Sequence, residues 1–190
     1  MDIGRNSILI PIDIQKGFME GKYSNRNNPD LESNVSKLMQ YWRRSGGSII
    51  HVRHDSMSES SPLKAGKPGF QFFREAEPLG NEAIITKHVH SAFIGTELLE
   101  MLKSLERPEL YFMGIATDHC VSTSVRMASD YGFNTSLIYD ACAAFDRKSA
   151  DGSTIGSQLV HDSAIASLKG GSSARSCILK ILSLKLYTSL

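Results

Sequence analysis

Asp13, Lys87 and Cys120 are the side chains whose chemical types could together carry out covalent hydrolysis, although they lie far apart in the sequence. A thiolate can attack a carbonyl carbon, a carboxylate can take the thiol proton, and a lysine can hold the charges in place. Cys120 follows the apolar run 110–113 and precedes a segment of helical spacing, which predicts a strand, a turn and a helix. Because backbone N–H groups and the helix dipole stabilise an anion in the first helical turn, we expect a lowered pKa for this thiol.

Each of the other two residues ends an apolar run of the kind that forms a buried strand. The run 7–12 leads into Asp13, and the run 83–86 leads into Lys87. In open parallel α/β sheets, ligands bind outside the carboxyl ends of the strands. The three side chains are therefore expected to meet at one edge of such a sheet.

The sequence contains four short motifs in an order and spacing that resemble the isochorismatase-like cysteine hydrolases, which include nicotinamidases and N-carbamoylsarcosine amidohydrolase. The matching region runs from Ile10 to about Leu168, most of the chain. The motifs are Asp13-Ile14-Gln15, Lys87 with Ser91-Ala92-Phe93 and Gly95-Thr96 behind it, the segment from Gly114 to Val121, and Asp140-Ala141-Cys142. Each motif is short, and their combination carries the resemblance.

The resemblance implies a catalytic triad and the groups that surround it. It implies Asp13 as the base, Lys87 as the electrostatic partner and Cys120 as the nucleophile. It also implies a cis peptide bond between Ile115 and Ala116, with the backbone N–H groups of Ala116 and Cys120 forming an oxyanion hole. Substrate contacts are also expected from residues near these motifs, at the carboxyl end of the second strand or in the long connection after it, namely Phe18, His54, Phe72, Phe93 and Ile115.

The histidines near His54 do not reproduce the metal site that the nicotinamidase resemblance would imply. An Asp-x-His pair followed by another His is expected there, but the chain reads His54-Asp55-Ser56-Met57-Ser58, with no further histidine before His88. Because a metal site needs at least three convergent ligands, we predict no metal and no cofactor. His119 is expected to face outward rather than tune the nucleophile, and Asp118 is expected to cap the helix that follows.

Strand-like and helix-like segments alternate along the chain. Apolar runs predict strands at 7–12, 48–53, 83–87, 109–114 and 134–139. Helices are predicted to begin at the cap Asn28-Pro29, near Leu98, near Asp118 and near Ser157, with Leu105 inside the second and Gly46-Gly47 ending the first. This order indicates an α/β fold with three layers, α/β/α, around a central, mostly parallel, doubly wound sheet of five or six strands. We expect a single domain over residues 1–190; the run 177–182 fits either a last strand or a helix.

The connection 54–81 interrupts this alternation. It is long and rich in Ser, Pro and Gly, and it carries Phe70, Phe72 and Phe73. Loops of this length in a compact domain are usually functional or disordered. One hypothesis is that it covers the active site of its own or a neighbouring subunit, with a phenyl group enclosing the substrate. The alternative is that the rings anchor the loop to the core.

The composition argues against several other classes of function. A formal net charge of +1 gives no broad reason to expect nucleic acid or an anionic membrane as a partner. No apolar stretch is long enough to cross a bilayer, and residues 1–5 lack the apolar segment of a secretory signal. Three cysteines without close pairing fit a reducing compartment, so we expect a cytoplasmic protein.

These patterns predict a cysteine-dependent hydrolase that cleaves a C–N bond of a small amide-type substrate through a thioester. Its partner is a small molecule, and the resemblance implies a homo-oligomer, either a dimer or a tetramer. One alternative is a nicotinamidase without its usual metal site, which ammonia release from nicotinamide would test. The other is a non-enzymatic flavodoxin-like binding domain, in which Asp13 is merely a loop acid.

Overall fold

A parallel β-sheet forms the centre of the molecule in a computed structural model that describes residues 6–19, 25–106, 108–169 and 176–179. Its first five strands are β1 (Ser7–Ile12), β2 (Ser48–His54), β3 (Ala83–Lys87), β4 (Glu109–Ile115) and β5 (Asn134–Ala143). Two short strands, β6 (Arg147–Lys148) and β7 (Thr154–Ile155), form a separate antiparallel pair. The last described strand, β8 (Ser176–Leu179), pairs with β5.

The strand order in the described part of the sheet is β3-β2-β1-β4-β5-β8, and all neighbours are parallel. The predicted α/β fold with a doubly wound sheet of five or six strands is therefore confirmed. The five strands predicted from apolar runs are present, although β5 extends four residues beyond the predicted end. Of the two alternatives for the run 177–182, its described part belongs to a strand.

The order of the strands reverses between β1 and β4. The chain proceeds from β1 through β2 to β3 on one side, and from β4 through β5 to β8 on the other. In such sheets the ligand crevice lies outside the carboxyl ends of the two strands at which the order reverses. Here those ends lead directly into Asp13 and into the segment that carries Cys120.

Helices cover the sheet and bury its apolar strands. They are α1 (Leu31–Ser45), α2 (Leu98–Lys103), α3 (Ser122–Asp130) and α4 (Ser157–Lys169). All six residues of β1 are buried, and because successive side chains point to opposite faces, both faces of the sheet are covered there. None of the described helices is both long enough and apolar enough to cross a membrane.

Two helix boundaries differ from the predicted ones. The residue that precedes α1 is Asp30, whereas the predicted cap, Asn28, has a φ of 54° and donates its side-chain amide to the carbonyls of Asp140 and Cys142 at 2.9 and 2.8 Å. Asn28 therefore joins the segment before α1 to the end of β5. The second helix ends at Lys103, and Leu105 lies beyond it, 46% exposed. The predicted end of α1 is confirmed, because Gly46 has the left-handed conformation that closes a helix.

The long connection after β2 is held to the rest of the chain by Gln15 and by its own aromatic rings. The Gln15 amide donates to the carbonyls of His54 and Phe70, and its oxygen accepts the N–H of His54. The Arg53 guanidinium lies over the ring of Phe70, at 4.4 Å from its centroid, and Phe73 is buried. These contacts match the alternative in which the rings anchor the loop.

Candidate active site

An ion pair between Asp13 and Lys87 lies at the carboxyl ends of β1 and β3. The Lys87 ammonium donates to Oδ2 of Asp13 at 2.6 Å, and both side chains are 0% exposed. The same ammonium donates to the carbonyl of Val89 at 3.1 Å and lies 3.4 Å from Nδ1 of His54. Because removing two charges from water is costly, such a pair persists only with close geometry and further hydrogen bonds, and both are present here.

Asp13 turns the chain sharply as it leaves β1. Its φ is 51°, in the left-handed region that Asp tolerates better than most residues, and its N–H donates to the carbonyl of Val52 at 2.8 Å. Its second carboxylate oxygen, Oδ1, is buried and has no hydrogen-bond partner at ordinary distance among the described residues. A buried oxygen with unused lone pairs can accept a proton from a group that reacts beside it.

Cys120 lies in a π-helical turn, Thr117–Val121, between β4 and α3. The carbonyl of Ala116 accepts the N–H groups of His119 at 3.0 Å and of Val121 at 3.3 Å, which closes the turn. The peptide bond between Ile115 and Ala116 is cis. This turn brings the sulfur of Cys120 to the crevice at the ends of β1 and β4.

Asp118 does not cap this turn as the sequence predicted. Its carboxylate accepts hydrogen bonds from Nε and Nη2 of Arg147, at 2.8 and 3.2 Å, and the turn has no side-chain cap. A charge-assisted bond to a guanidinium is stronger than a bond to a neutral backbone N–H, so the carboxylate is held by Arg147. The pair joins the cysteine turn to β6.

The environment of Cys120 favours the thiol over the thiolate. The residue is only 8% exposed, and burial raises the pKa of its thiol. The negative charge of Asp13 raises this pKa further, and the positive charge of Lys87 offsets only part of the increase. The predicted lowering is therefore wrong, because the cost of removing a charge from water outweighs the benefit of the helix terminus at this depth.

A cavity of about 190 Å³ opens above the sulfur. Several predicted site residues line it together, namely Asp13, Phe18, His54, Ala116 and Cys120. Lys87 does not line the cavity. It lies behind Asp13 and donates a hydrogen bond to the carboxylate of that residue. The ring of Phe18 stacks on that of Phe145 at 5.9 Å, which gives the cavity one flat apolar wall.

Three predicted substrate contacts do not line this cavity. Ile115 is fully buried within the core at the end of β4. Phe93 is also buried, and its ring packs against Tyr131 at 5.6 Å. Phe72 packs its ring against His51 at 5.5 Å. These side chains pack against other parts of the chain, and the sequence could not distinguish such packing from contact with a substrate.

The cavity also has lining residues that the sequence prediction missed or left aside. Leu63 comes from the long connection, whereas Phe145 and Arg147 follow β5. His90, three residues after Lys87, places its Nδ1 at 3.7 Å from the sulfur of Cys120. The triad was predicted from positions at or just beyond the carboxyl ends of strands. The same rule, applied to the residues that follow β3 and β5, would have included His90, Phe145 and Arg147.

Two of the imidazoles around the cavity favour the neutral form. Burial lowers the pKa of His54, and the charge of Lys87 lowers it further. Burial likewise lowers the pKa of His119, together with the charge of Arg147; His119 is exposed as predicted, but it also lines the cavity. Across the described ranges, no three His, Cys, Asp or Glu side chains are grouped so that they could hold a metal ion.

Comparison with known proteins relates the chain to the isochorismatase family, both by a domain model and by individual relatives. The model of the isochorismatase domain matches residues 7–158, a range that includes Asp13, Lys87 and Cys120. The isochorismatase family protein YrdC of Bacillus subtilis is 39% identical over 160 residues, which cover 84% of this chain and 86% of that protein. Nicotinamidase 3 of Arabidopsis thaliana is 26% identical over 153 residues, covering 74% of each chain.

A solved structure extends the likeness to the whole fold. A protein of the isochorismatase family from Chromobacterium violaceum superposes with a TM-score of 0.87 at 33% identity, covering 95% of this chain and 92% of its own. This likeness and the domain match go against a non-enzymatic flavodoxin-like binding domain. The chain therefore belongs to the isochorismatase family and is an enzyme of its hydrolase class.

Proposed function

We propose that the protein is a cysteine hydrolase that cleaves a C–N bond of a small amide-type substrate, with Asp13, Lys87 and Cys120 as its catalytic triad. The observation that carries this proposal is the buried ion pair of Asp13 and Lys87 beside the Cys120 thiol at the wall of one cavity. A group in a cleft whose pKa is strongly shifted by burial and by a specific charged neighbour, as Cys120 is, is a candidate for function.

The first step is attack by the sulfur on the carbonyl carbon. Because the pKa of Cys120 is raised, the resting group is a thiol, and its proton must leave as the C–S bond forms. Oδ1 of Asp13 is available to accept that proton, since Oδ2 already accepts the Lys87 ammonium. Lys87 keeps the carboxylate charge compensated until the transfer takes place.

The second step is collapse of the tetrahedral intermediate. Its oxyanion is stabilised by the backbone N–H groups of Ala116 and Cys120, and each such donor typically contributes roughly 3 kcal/mol. Asp13 returns the proton to the leaving nitrogen as the C–N bond breaks, which leaves an acyl thioester on Cys120. Water then attacks the thioester carbon, releases a carboxylic acid and regenerates the thiol.

The dimensions and walls of the cavity restrict the substrate. At about 190 Å³ it is smaller than the roughly 300 Å³ at which ordinary ligand pockets begin. The stacked rings of Phe18 and Phe145 favour a flat group of few heavy atoms. The similarity to Arabidopsis nicotinamidase 3 supports an amide, and makes nicotinamide the first compound to test against other small amides and ureas.

The test is ammonia release from a panel of small amides, ureas and nicotinamide, with wild type beside Cys120→Ala. The matched control is Cys142→Ala, which removes a second buried thiol that does not line the cavity. We expect one compound to be turned over, at least ~1000-fold more slowly by Cys120→Ala, and at a nearly unchanged rate by Cys142→Ala. Turnover that survives in Cys120→Ala would exclude Cys120 as the nucleophile.

A further inference from the structure

The sulfur of Cys120 lies between two groups that can accept a proton. Asp13 is fully buried on one side, whereas His90 is exposed, lines the cavity and approaches the sulfur to 3.7 Å through Nδ1. This sulfur contact lies within hydrogen-bonding distance for a thiol. One proton acceptor is therefore enclosed by protein and the other is open to water.

Hydrolysis of a thioester requires a base that the incoming water can reach. In the proposed acyl-enzyme the acyl group is bonded to the sulfur at the wall of the cavity, and Asp13 is already out of contact with solvent. Water enters from the solvent side, where the imidazole of His90 lies next to the sulfur. A neutral imidazole has a ring nitrogen that can accept a proton, and a general base must lie within hydrogen-bond reach of the attacking water.

The other histidines near the cavity are less suited to this step. Nδ1 of His54 lies 3.4 Å from the Lys87 ammonium, and Nδ1 of His119 lies 3.3 Å from the Arg147 guanidinium. In both rings, therefore, Nδ1 already contacts a cationic side chain. His88 lies against Asp55 and does not line the cavity. Among the described contacts, only the ring of His90 meets the sulfur.

We propose that His90 is a further catalytic residue, the general base that hydrolyses the thioester. Nδ1 takes a proton from water while the oxygen bonds to the thioester carbon. The C–S bond then breaks, the carboxylic acid leaves, and the imidazolium returns its proton to the sulfur. Thioester and water thus give acid and thiol, with His90 and Cys120 restored. The step rests on the proposed role of Cys120 as nucleophile.

The two half-reactions can be separated with p-nitrophenyl acetate, whose leaving group needs no proton. Acetylation of Cys120 releases p-nitrophenolate in a burst, and hydrolysis of the acetyl-enzyme sets the rate that follows. We compare wild type with His90→Gln, with His88→Gln as the matched control and Cys120→Ala as the blank. The acetyl-enzyme is measured directly by intact mass.

His90→Gln is expected to keep the burst, to accumulate acetyl-enzyme and to turn over at least ~100-fold more slowly than wild type. Hydroxylamine, which attacks thioesters without a base, should restore its turnover, and His88→Gln should behave like wild type. Turnover of His90→Gln within about threefold of wild type would overturn the role of His90, as would slow turnover without acetyl-enzyme. A burst that is absent from wild type, or retained in Cys120→Ala, would overturn the nucleophile and the role of His90 together.

Discussion

The ion pair of Asp13 and Lys87 illustrates how a buried charge depends on its partner. Neither side chain is exposed, so neither charge is stabilised by water. Removing one partner of such a pair typically costs about 3–5 kcal/mol, because the remaining charge is left uncompensated. The pair as a whole contributes much less to folding, since its mutual attraction mainly offsets the cost of its burial.

Lys87→Met should therefore lower the free energy of unfolding by about 3–5 kcal/mol, as measured by denaturant titration. The double variant Asp13→Asn with Lys87→Met should lose less than the sum of the two single changes, because no unpaired charge remains. Lys103→Met, which alters an exposed lysine, serves as the control and should change stability by less than about 0.5 kcal/mol. Additive losses in the double variant would contradict the coupling.

At this scale the sequence predicted that Asp13, Lys87 and Cys120 meet at one edge of the sheet, but not their electrostatics. Asp13 and Lys87 were predicted because each comes at the end of an apolar run. In the structure these runs are the strands β1 and β3. The raised pKa of Cys120 was missed because it depends on burial by segments distant in the sequence. His90 was not predicted as a site residue, because sequence spacing does not show which loop residue turns toward the sulfur.

Among the elements, β4 pairs with β1 through a glycine just before the cysteine turn. Gly114 has a φ of 132°, and a Cβ there would overlap the carbonyl oxygen of Ile12. The pairing of β4 with β5 also shifts register between Phe112 and Gly114. A glycine is thus required by two conditions, its own conformation and the adjacent strand.

Gly114→Ala should lower the free energy of unfolding by about 3 kcal/mol or more, since it adds overlap with backbone to the strain of a positive φ. Gly66→Ala is the matched control, because Gly66 has a φ of 88° but open space around its Cβ position. The control should lose only about 1 kcal/mol in the same thermal or denaturant unfolding. Equal losses in the two variants would show that conformation alone, and not the approach to β1, sets the requirement.

The strands were predicted well because burial on both faces leaves a continuous apolar run, as all six residues of β1 show. Helix starts were predicted less well. Asn28 has the residue type of a cap, but its amide binds the end of β5, more than 110 residues later. A residue type favours several local roles, and tertiary contacts decide which of them is used.

For the whole molecule, acid stability should depend on a cluster at the end of the sheet opposite the site. Glu82 accepts Nε of Arg43 at 2.7 Å and lies 2.8 Å from Nε2 of His51. Burial acts to raise the pKa of Glu82, but hydrogen bonds from Arg43, from the Leu79 N–H and from His51 outweigh it and lower the pKa to about 2. The stability from this carboxylate is complete above its ordinary pKa of 4.5 and is lost as the pH falls toward 2.

Glu82→Gln should be less stable than wild type at neutral pH, and the difference should shrink as the pH falls from about 4.5 to about 2. Unfolding in denaturant at a series of pH values measures this directly. Asp130→Asn, at an exposed position, is the control and should show no such convergence. A difference that stays constant down to pH 2 would contradict the role of the Glu82 carboxylate.

The fold as a whole was predictable because alternating apolar runs and helical spacing leave few arrangements open. The expected homo-oligomer, the cytoplasmic location and the single domain over 1–190 stay predictions. An oligomer depends on a second chain, and nothing in the residues of this chain fixes the number of subunits.

The strand order also decides when during synthesis the proposed chemistry becomes available. Asp13 and Lys87 are 74 residues apart and meet only after β3 has paired with β2 and β2 with β1. The sulfur of Cys120 joins them only after β4 has paired with β1 from the other side. A growing chain on the ribosome therefore carries no complete triad before Cys120 has been added and β4 has paired with β1.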